Sequence, residues 1–142
     1  MGVIMKDWKV LVLDLDGTLL CCEGEVSPQN IHALDCVRES GVEIVIATGR
    51  CFAECKHILD EIQHEGACIT AGGSQLTDCN GKGIARDVVD QEIANEVTDY
   101  ILQGGHRCLL LKDSTACETD YVLVGDAPLH YASHWWSHAS SP

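Results

Sequence analysis

Two aspartates one residue apart, Asp14 and Asp16, follow directly on the apolar run Val10-Leu11-Val12-Leu13 and lead into Gly17, Thr18, Leu19 and Leu20. A run of β-formers that stops at a carboxylate reads as a strand buried on both faces of a parallel sheet. In open α/β sheets ligands bind beyond the carboxyl ends of the strands, so both carboxylates are expected at a ligand site. Gly17 lets the backbone turn sharply and bring its amides close to a bound anion. A lone Asp-Gly would be read as a strand exit; seven residues in this setting make that the minor reading. The next apolar run, Ile44-Val45-Ile46-Ala47, ends in Thr48-Gly49-Arg50. There a hydroxyl and the N–H groups of a helix beginning near Gly49 and Arg50 would form an anion site. Taken alone, Thr-Gly-Arg is most often a strand-to-helix turn, and it gains weight by following the first group after one βα unit.

The elements that must position these residues are well marked. Ser27-Pro28 supplies an N-cap and a first-turn proline, Ile31, Leu34 and Val37 follow at helical spacing, and Gly41 stands where a helix stops. Val42 to Ala47 reads as a second buried strand. Phe52, Cys55, Ile58, Leu59 and Ile62 mark one face of a second helix ending near Gly66, and Ala67 to Ala71 as a third strand. Strand, helix, strand, helix, strand predicts a doubly wound, Rossmann-like α/β parallel sheet over residues 1–73. The texture then changes. Ser74 to Asp78 and Gly83 to Val89 flank Asn80-Gly81 as a hairpin. A helix with Ile93, Val97, Tyr100 and Ile101 on one face and two strands, Arg107 to Leu111 and Tyr121 to Val124, follow. Residues 74–124 are therefore expected to form a smaller α+β module, and 125–142 a tail with no assigned structure.

Nine Lys and Arg against 22 Asp and Glu give a formal charge of −13 in 142 residues. Such a chain repels nucleic acid and anionic membrane surfaces, leaving a small molecule as the expected partner. If that partner is itself an anion, local dipoles and a metal ion must attract it, because net charge does not. The nine cysteines are odd in number, several lie in apolar runs, and no CxxC pair occurs. Buried reduced thiols in a cytoplasmic protein are the expectation. Neither a secretory h-region nor a window of transmembrane length is seen.

The segment Asp14-Leu15-Asp16-Gly17-Thr18 after an apolar strand resembles the first motif of the haloacid-dehalogenase superfamily. Ile44 to Arg50 resembles the second motif of its Cof-type branch. Ile69-Thr70-Ala71-Gly72-Gly73 resembles a further segment of that branch, with Gly72 where Asn is usual. The resemblance implies a phosphatase acting on a small phosphorylated metabolite, with an α+β cap inserted after residue 73. By the same resemblance Asp14 attacks phosphorus to form an aspartyl-phosphate, while Asp16 protonates the leaving oxygen and later activates water. Gly17, Thr18, Thr48, Gly49 and Arg50 contact the phosphoryl group. Mg²⁺ is implied as cofactor, held by the Asp14 carboxylate and the main-chain oxygen of Asp16. Like charge beside it is expected to keep Asp16 protonated.

The family also uses a lysine and an acidic GDxxxD-like segment. Lys112 and Val124-Gly125-Asp126 are poor matches, since His130 stands where a further acid is wanted and no βα unit separates Lys112 from Tyr121. In the family fold the first strand is central, flanked by later strands, so Val10 to Leu13 is expected at an unpaired edge and the chain is expected to be C-terminally incomplete. Two rival readings follow: a phosphomutase of the same fold, and a non-catalytic fragment or pseudoenzyme. His130, His134 and His138 recur every four residues beside Trp135 and Trp136. That spacing could align imidazoles on a helix, but no acidic partners accompany them.

Overall fold

The computed structural model describes residues 8–113 and 119–129. The chain divides into two compact units, one ending at Arg86 and the other beginning at Asp87.

In the first unit, β1 (Val10–Leu13) pairs parallel with β2 (Glu43–Ala47), and β2 parallel with β3 (Cys68–Thr70). The connections are α1 (Pro28–Glu39) and α2 (Phe52–Glu61). Helix α1 starts as its sequence dictates: the Ser27 hydroxyl accepts the Asn30 N–H at 3.1 Å and Pro28 fills the first turn. It stops at Ser40, with Gly41 in the left-handed region at φ +76°. The register sets Leu13 beside Ile46 and Ile46 beside Cys68, so Leu13, Ile44, Ile46 and Cys68 share one sheet face. On that face Leu34 from α1 and Cys55, Ile58, Leu59 and Ile62 from α2 complete the core. Both helices of this unit therefore cover the same side. On the other side Val10 and Val12 remain 47% and 56% exposed, and Val45 and Ile69 are half-buried.

Strand β1 is the sheet edge, as expected from the sequence. The hairpin assigned from the sequence to a separate module instead extends this same sheet. Strand β4 (Gln75–Thr77) pairs antiparallel with β3, and β5 (Gly83–Arg86) with β4, giving the order β1-β2-β3-β4-β5. The compact unit thus ends thirteen residues later than the 73/74 boundary expected from the change in texture. A short turn at Ala71–Gly73, with Ala71, Gly72 and Gly73 all at positive φ, reverses the chain between β3 and β4. The β4–β5 turn is tied by the Asp78 carboxylate, which accepts the N–H groups of Asn80 and Lys82 at 2.9 Å each. One glycine is demanded by packing: a Cβ on Gly66 would lie 2.1 Å from the Ile44 carbonyl oxygen, so only glycine lets the chain enter β3 so close to β2.

The second unit contains α3 (Gln91–Gln103) and an antiparallel pair, β6 (Cys108–Leu111) with β7 (Tyr121–Val124). Here the helix phase differs from the expected one. Ile93, Val97 and Tyr100 are 55%, 51% and 79% exposed, whereas Thr98 is buried and Ala94, Ile101 and Leu102 are half-buried. Thr98 can be buried because its hydroxyl donates to the Ala94 carbonyl at 2.7 Å. His130, His134 and His138 lie outside the described residues. No helix among the described residues is long and apolar enough to cross a membrane.

Candidate active site

Asp14 is the first residue after β1 and Thr48 the first after β2, and the parallel register that pairs Leu13 with Ile46 brings both to one end of the sheet. After Asp14 the chain makes one wide turn over Leu15–Leu19, closed by the Leu20 N–H on the Leu15 carbonyl at 2.9 Å. Leu15 is fully buried and Leu19 is 5% exposed. Those two leucines root the turn in the core while Asp14, Asp16, Gly17 and Thr18 stand exposed. Gly17 lies at φ +73°, a conformation that costs any residue with a Cβ about 1–2 kcal/mol.

The second loop is tied to the third strand. Thr48 donates its N–H to the Ile69 carbonyl at 2.9 Å, and the Ala71 N–H donates to the Arg50 carbonyl at 2.7 Å. Gly72 N–H reaches the Thr48 carbonyl at 3.3 Å. Thr48 is 6% exposed, and its hydroxyl oxygen accepts the Arg50 N–H at 3.2 Å, which leaves the hydroxyl proton as its donor. Helix α2 begins at Phe52, two residues beyond Arg50. Cys51 is its N-cap, and the Glu54 carboxylate accepts the Cys51 N–H at 2.9 Å in a reciprocal capping box. Glu54 thus takes up an amide, and places a negative charge, at the end that sequence reasoning had offered to an anion. The signal was legible in Cys51-x-x-Glu54, but cysteine is an unusual cap.

Arg50 makes the strongest link between the loops. Its Nε donates to Asp16 Oδ2 at 2.9 Å and its Nη2 to Oδ1 at 2.6 Å, a bidentate fork. Arg50, expected on the phosphoryl group, is therefore held by a side chain of the acidic loop. Beside the Asp16 carboxylate stands a guanidinium as well as the like charge expected from Asp14. The hydrogen bonds from Arg50 hold the Asp16 carboxyl below the ordinary aspartate range, outweighing the opposing effect of partial burial, and the guanidinium charge adds to the lowering. In this state Asp16 is a carboxylate, the form that accepts a proton rather than gives one. Lys112 is exposed after β6 and Asp126 follows β7, both in the second unit. Among the described residues, no three His, Cys, Asp or Glu side chains are grouped to hold a metal ion.

An open, Rossmann-like sheet with an acidic loop after its first strand and a hydroxyl loop after its second defines an α/β protein whose candidate site is at the carboxyl end of the strands, where such sheets bind ligands. Known proteins agree. Residues 11–134 match the family of haloacid dehalogenase-like hydrolases. The 5-amino-6-(5-phospho-D-ribitylamino)uracil phosphatase YwtE of Bacillus subtilis is 34% identical over 94 residues, 66% of this chain and 32% of that protein. Its namesake YcsE, from the same organism, is 28% identical over 130 residues, 92% of this chain and 50% of that protein. Among solved structures, the phosphatase BT1666 of Bacteroides thetaiotaomicron superposes with a TM-score of 0.72 at 26% identity, over 92% of this chain and 46% of that one. The subclass IIB sugar phosphatase BT4131 superposes at 0.64, with 26% identity over 74% of this chain and 41% of that one. The chain belongs to the haloacid dehalogenase-like hydrolases, in their Cof-type, subclass IIB branch. It spans 32% and 50% of the length of the two curated relatives.

Proposed function

We propose that this chain carries the nucleophile and phosphoryl-binding half of a phosphatase for small phosphorylated metabolites. The observation that carries the reading is the juxtaposition of two loops at one sheet end, Asp14–Thr18 and Thr48–Arg50, joined by the Arg50–Asp16 fork. Asp14 is exposed at the strand terminus and open to attack an incoming phosphorus, forming an aspartyl-phosphate as the alkoxide leaves. Thr48 directs its hydroxyl proton at the phosphoryl oxygens, with the amides around Gly17, Thr18 and Gly49 beside it. Asp16, ionised as found, is suited to activating the water that hydrolyses the intermediate. To protonate a leaving group it must first gain a proton and loosen from Arg50.

The donors present suit a hard divalent cation, and Mg²⁺ is the cofactor we propose. The Asp14 carboxylate and the Asp16 main-chain oxygen would hold it, a small ligand set of the kind that leaves Mg²⁺ its waters and substrate oxygens. Bound there, it would supply positive charge against the repulsion between Asp14 and a phosphate dianion.

A non-catalytic role is the second reading, favoured by the lack of a three-residue acidic cluster among the described residues. Incubation with an activated phosphate ester and Mg²⁺, acid quench and peptide mass spectrometry separates the two. Phosphate esterified to Asp14, lost in Asp14→Asn and kept in Asp16→Ala, is the expected result. An Asp14 that never carries phosphate would overturn the catalytic reading.

A further inference from the structure

Helix α1 carries a pair of ligating side chains that the phosphatase reading does not use. Its inner face packs on the core through Leu34, Ile31 and Val37, whereas His32, Asp35, Cys36 and Glu39 are all exposed. Residues four apart on a helix stand one above the other. Here that spacing brings a thiol to an imidazole: Cys36 Sγ lies 3.8 Å from His32 Nε2. The helix beneath them is held at both ends and in the middle. Ser27 caps its start, Leu34 is buried, and near its end the Arg38 guanidinium donates to the Ile62 carbonyl at 2.6 Å. Arg38, the one Arg or Lys of α1, also donates to Asp35 Oδ1 at 2.8 Å, which engages its charge away from the pair.

Thiolate sulfur and imidazole nitrogen are donors that zinc takes, at about 2.3 Å and about 2.0–2.1 Å. Two such bonds at a tetrahedral angle set sulfur and nitrogen about 3.6 Å apart. The separation in α1 is close to that bite, so closing a chelate asks little change in the distance between the donors. Hard cations such as Mg²⁺ select oxygen instead, so this pair and the Asp14 loop suit different metals. The setting favours a cation, because the chain carries a formal charge of −13 and Asp35 and Glu39 share the exposed face with Cys36. No third His, Cys, Asp or Glu completes a cluster among the described residues, which leaves the remaining positions to water.

We propose that His32 and Cys36 form a two-point chelate for a divalent cation of the zinc class on the outer face of α1. On binding, the Cys36 S–H bond breaks and a sulfur–metal bond forms. Nε2 of His32 gives its lone pair to the metal while the ring proton stays on Nδ1. One proton leaves to solvent, water completes the coordination, and no oxidation state changes. The site does not depend on the phosphatase reading.

The test is titration of the reduced chain with Zn²⁺ against a chromophoric chelator, in excess Mg²⁺, with Co²⁺ as a coloured stand-in. One equivalent per chain is expected, and Co²⁺ should give a sulfur-to-metal charge-transfer absorption. His32→Ala and Cys36→Ser should each weaken binding by about 100-fold, the lower end of what a second linked contact adds. Cys36→Ser should also abolish the absorption. On the wild-type chain, Zn²⁺ should slow alkylation of Cys36 by iodoacetamide in peptide mass spectrometry. Cys21 and Cys22, equally exposed, should keep their rates. Because that readout needs no variant, misfolding of a substituted chain cannot obscure it. Zinc affinity unchanged in both variants, zinc displaced by Mg²⁺, protection mapped to Cys21 or Cys22, or an unprotected Cys36 would each overturn the proposal. So would half an equivalent with a doubled mass, which would mean that two chains share the metal.

Discussion

Removing the fork between Arg50 and Asp16 tests whether the two loops are joined as described. The pair is bidentate, with N–O distances of 2.6 and 2.9 Å, but Asp16 keeps 60% of its side-chain exposure and Arg50 28%. Exposed pairs contribute about 0.2–1 kcal/mol, and bidentate geometry favours the upper end, so a coupling of about 1 kcal/mol is expected. A double-mutant cycle on Arg50→Ala and Asp16→Ala, by urea unfolding in the presence of a chelator, isolates that term. Its pH dependence has a definite sign. Asp16 is depressed in the folded chain, so the unfolded chain binds its proton first as pH falls. The coupling should be fully present above the unfolded carboxylate value of about 3.9. It should disappear as pH drops through the lower folded value. Screening should trim it at high salt. A coupling of zero at neutral pH, or one that grows on acidification, would refute the claim that this contact joins the loops.

The core beneath the site gives further predictions. Leu15→Ala removes a fully buried side chain that roots the acidic turn, and should cost about 2–5 kcal/mol in urea unfolding. Gly66→Ala should be destabilising by about 3 kcal/mol or more, because its Cβ meets a backbone oxygen, and thermal melting would show it. Gly17→Ala meets no atom within 4 Å and should cost only its left-handed strain, about 1–2 kcal/mol in the same assay. Peptide-resolved thiol labelling of the folded chain should be fast at Cys21, Cys22 and Cys36 and slow at Cys51, Cys55, Cys68 and Cys108. Burial pushes the Cys55 thiol to about 11 and Cys68 to about 12, so little thiolate exists there at neutral pH.

How far the amino-acid sequence reveals this molecule depends on whether a feature is local. The apolar run ending at Asp14, the Ser27-Pro28 start of α1 and the Asn80-Gly81 turn are written within a few residues, and each forms where expected. The hairpin itself was legible, but not the sheet it joins. Pairing of β4 with β3 depends on three consecutive positive-φ residues, Ala71 to Gly73, and alanine gives no sign of that conformation. The phase of α3 was misread for another reason. Ile93, Val97 and Tyr100 outweigh Ala94 and Thr98 in hydrophobicity, yet the structure buries Thr98 and half-buries Ala94, and Thr98 pairs its hydroxyl within the helix. The expected inaccessibility of the thiols holds for four of the cysteines and fails for Cys21, Cys22 and Cys36, which stand on a turn and an outer helix face.

At the site, the unreadable element was charge pairing at long range. Arg50 and Asp16 are separated by 34 residues, and nothing in either motif says that the cation of one neutralises the acid of the other. The consequence reaches the proposed chemistry. With the Arg50 charge committed to Asp16, little of it remains for Asp14 or for an arriving phosphate dianion. Two unit charges 4 Å apart repel by about 4 kcal/mol at an effective dielectric of 20, so the approach of phosphate to Asp14 is opposed on that scale. A neutral donor such as the Thr48 hydroxyl orients an anion but does not cancel its charge. Either the fork opens and Arg50 turns to the phosphate, or a divalent cation beside Asp14 supplies the charge while the fork stays closed. The proposed Mg²⁺ is consistent with the second course, and that course leaves the Asp16 carboxylate where it is found, held by both oxygens in the Arg50 fork.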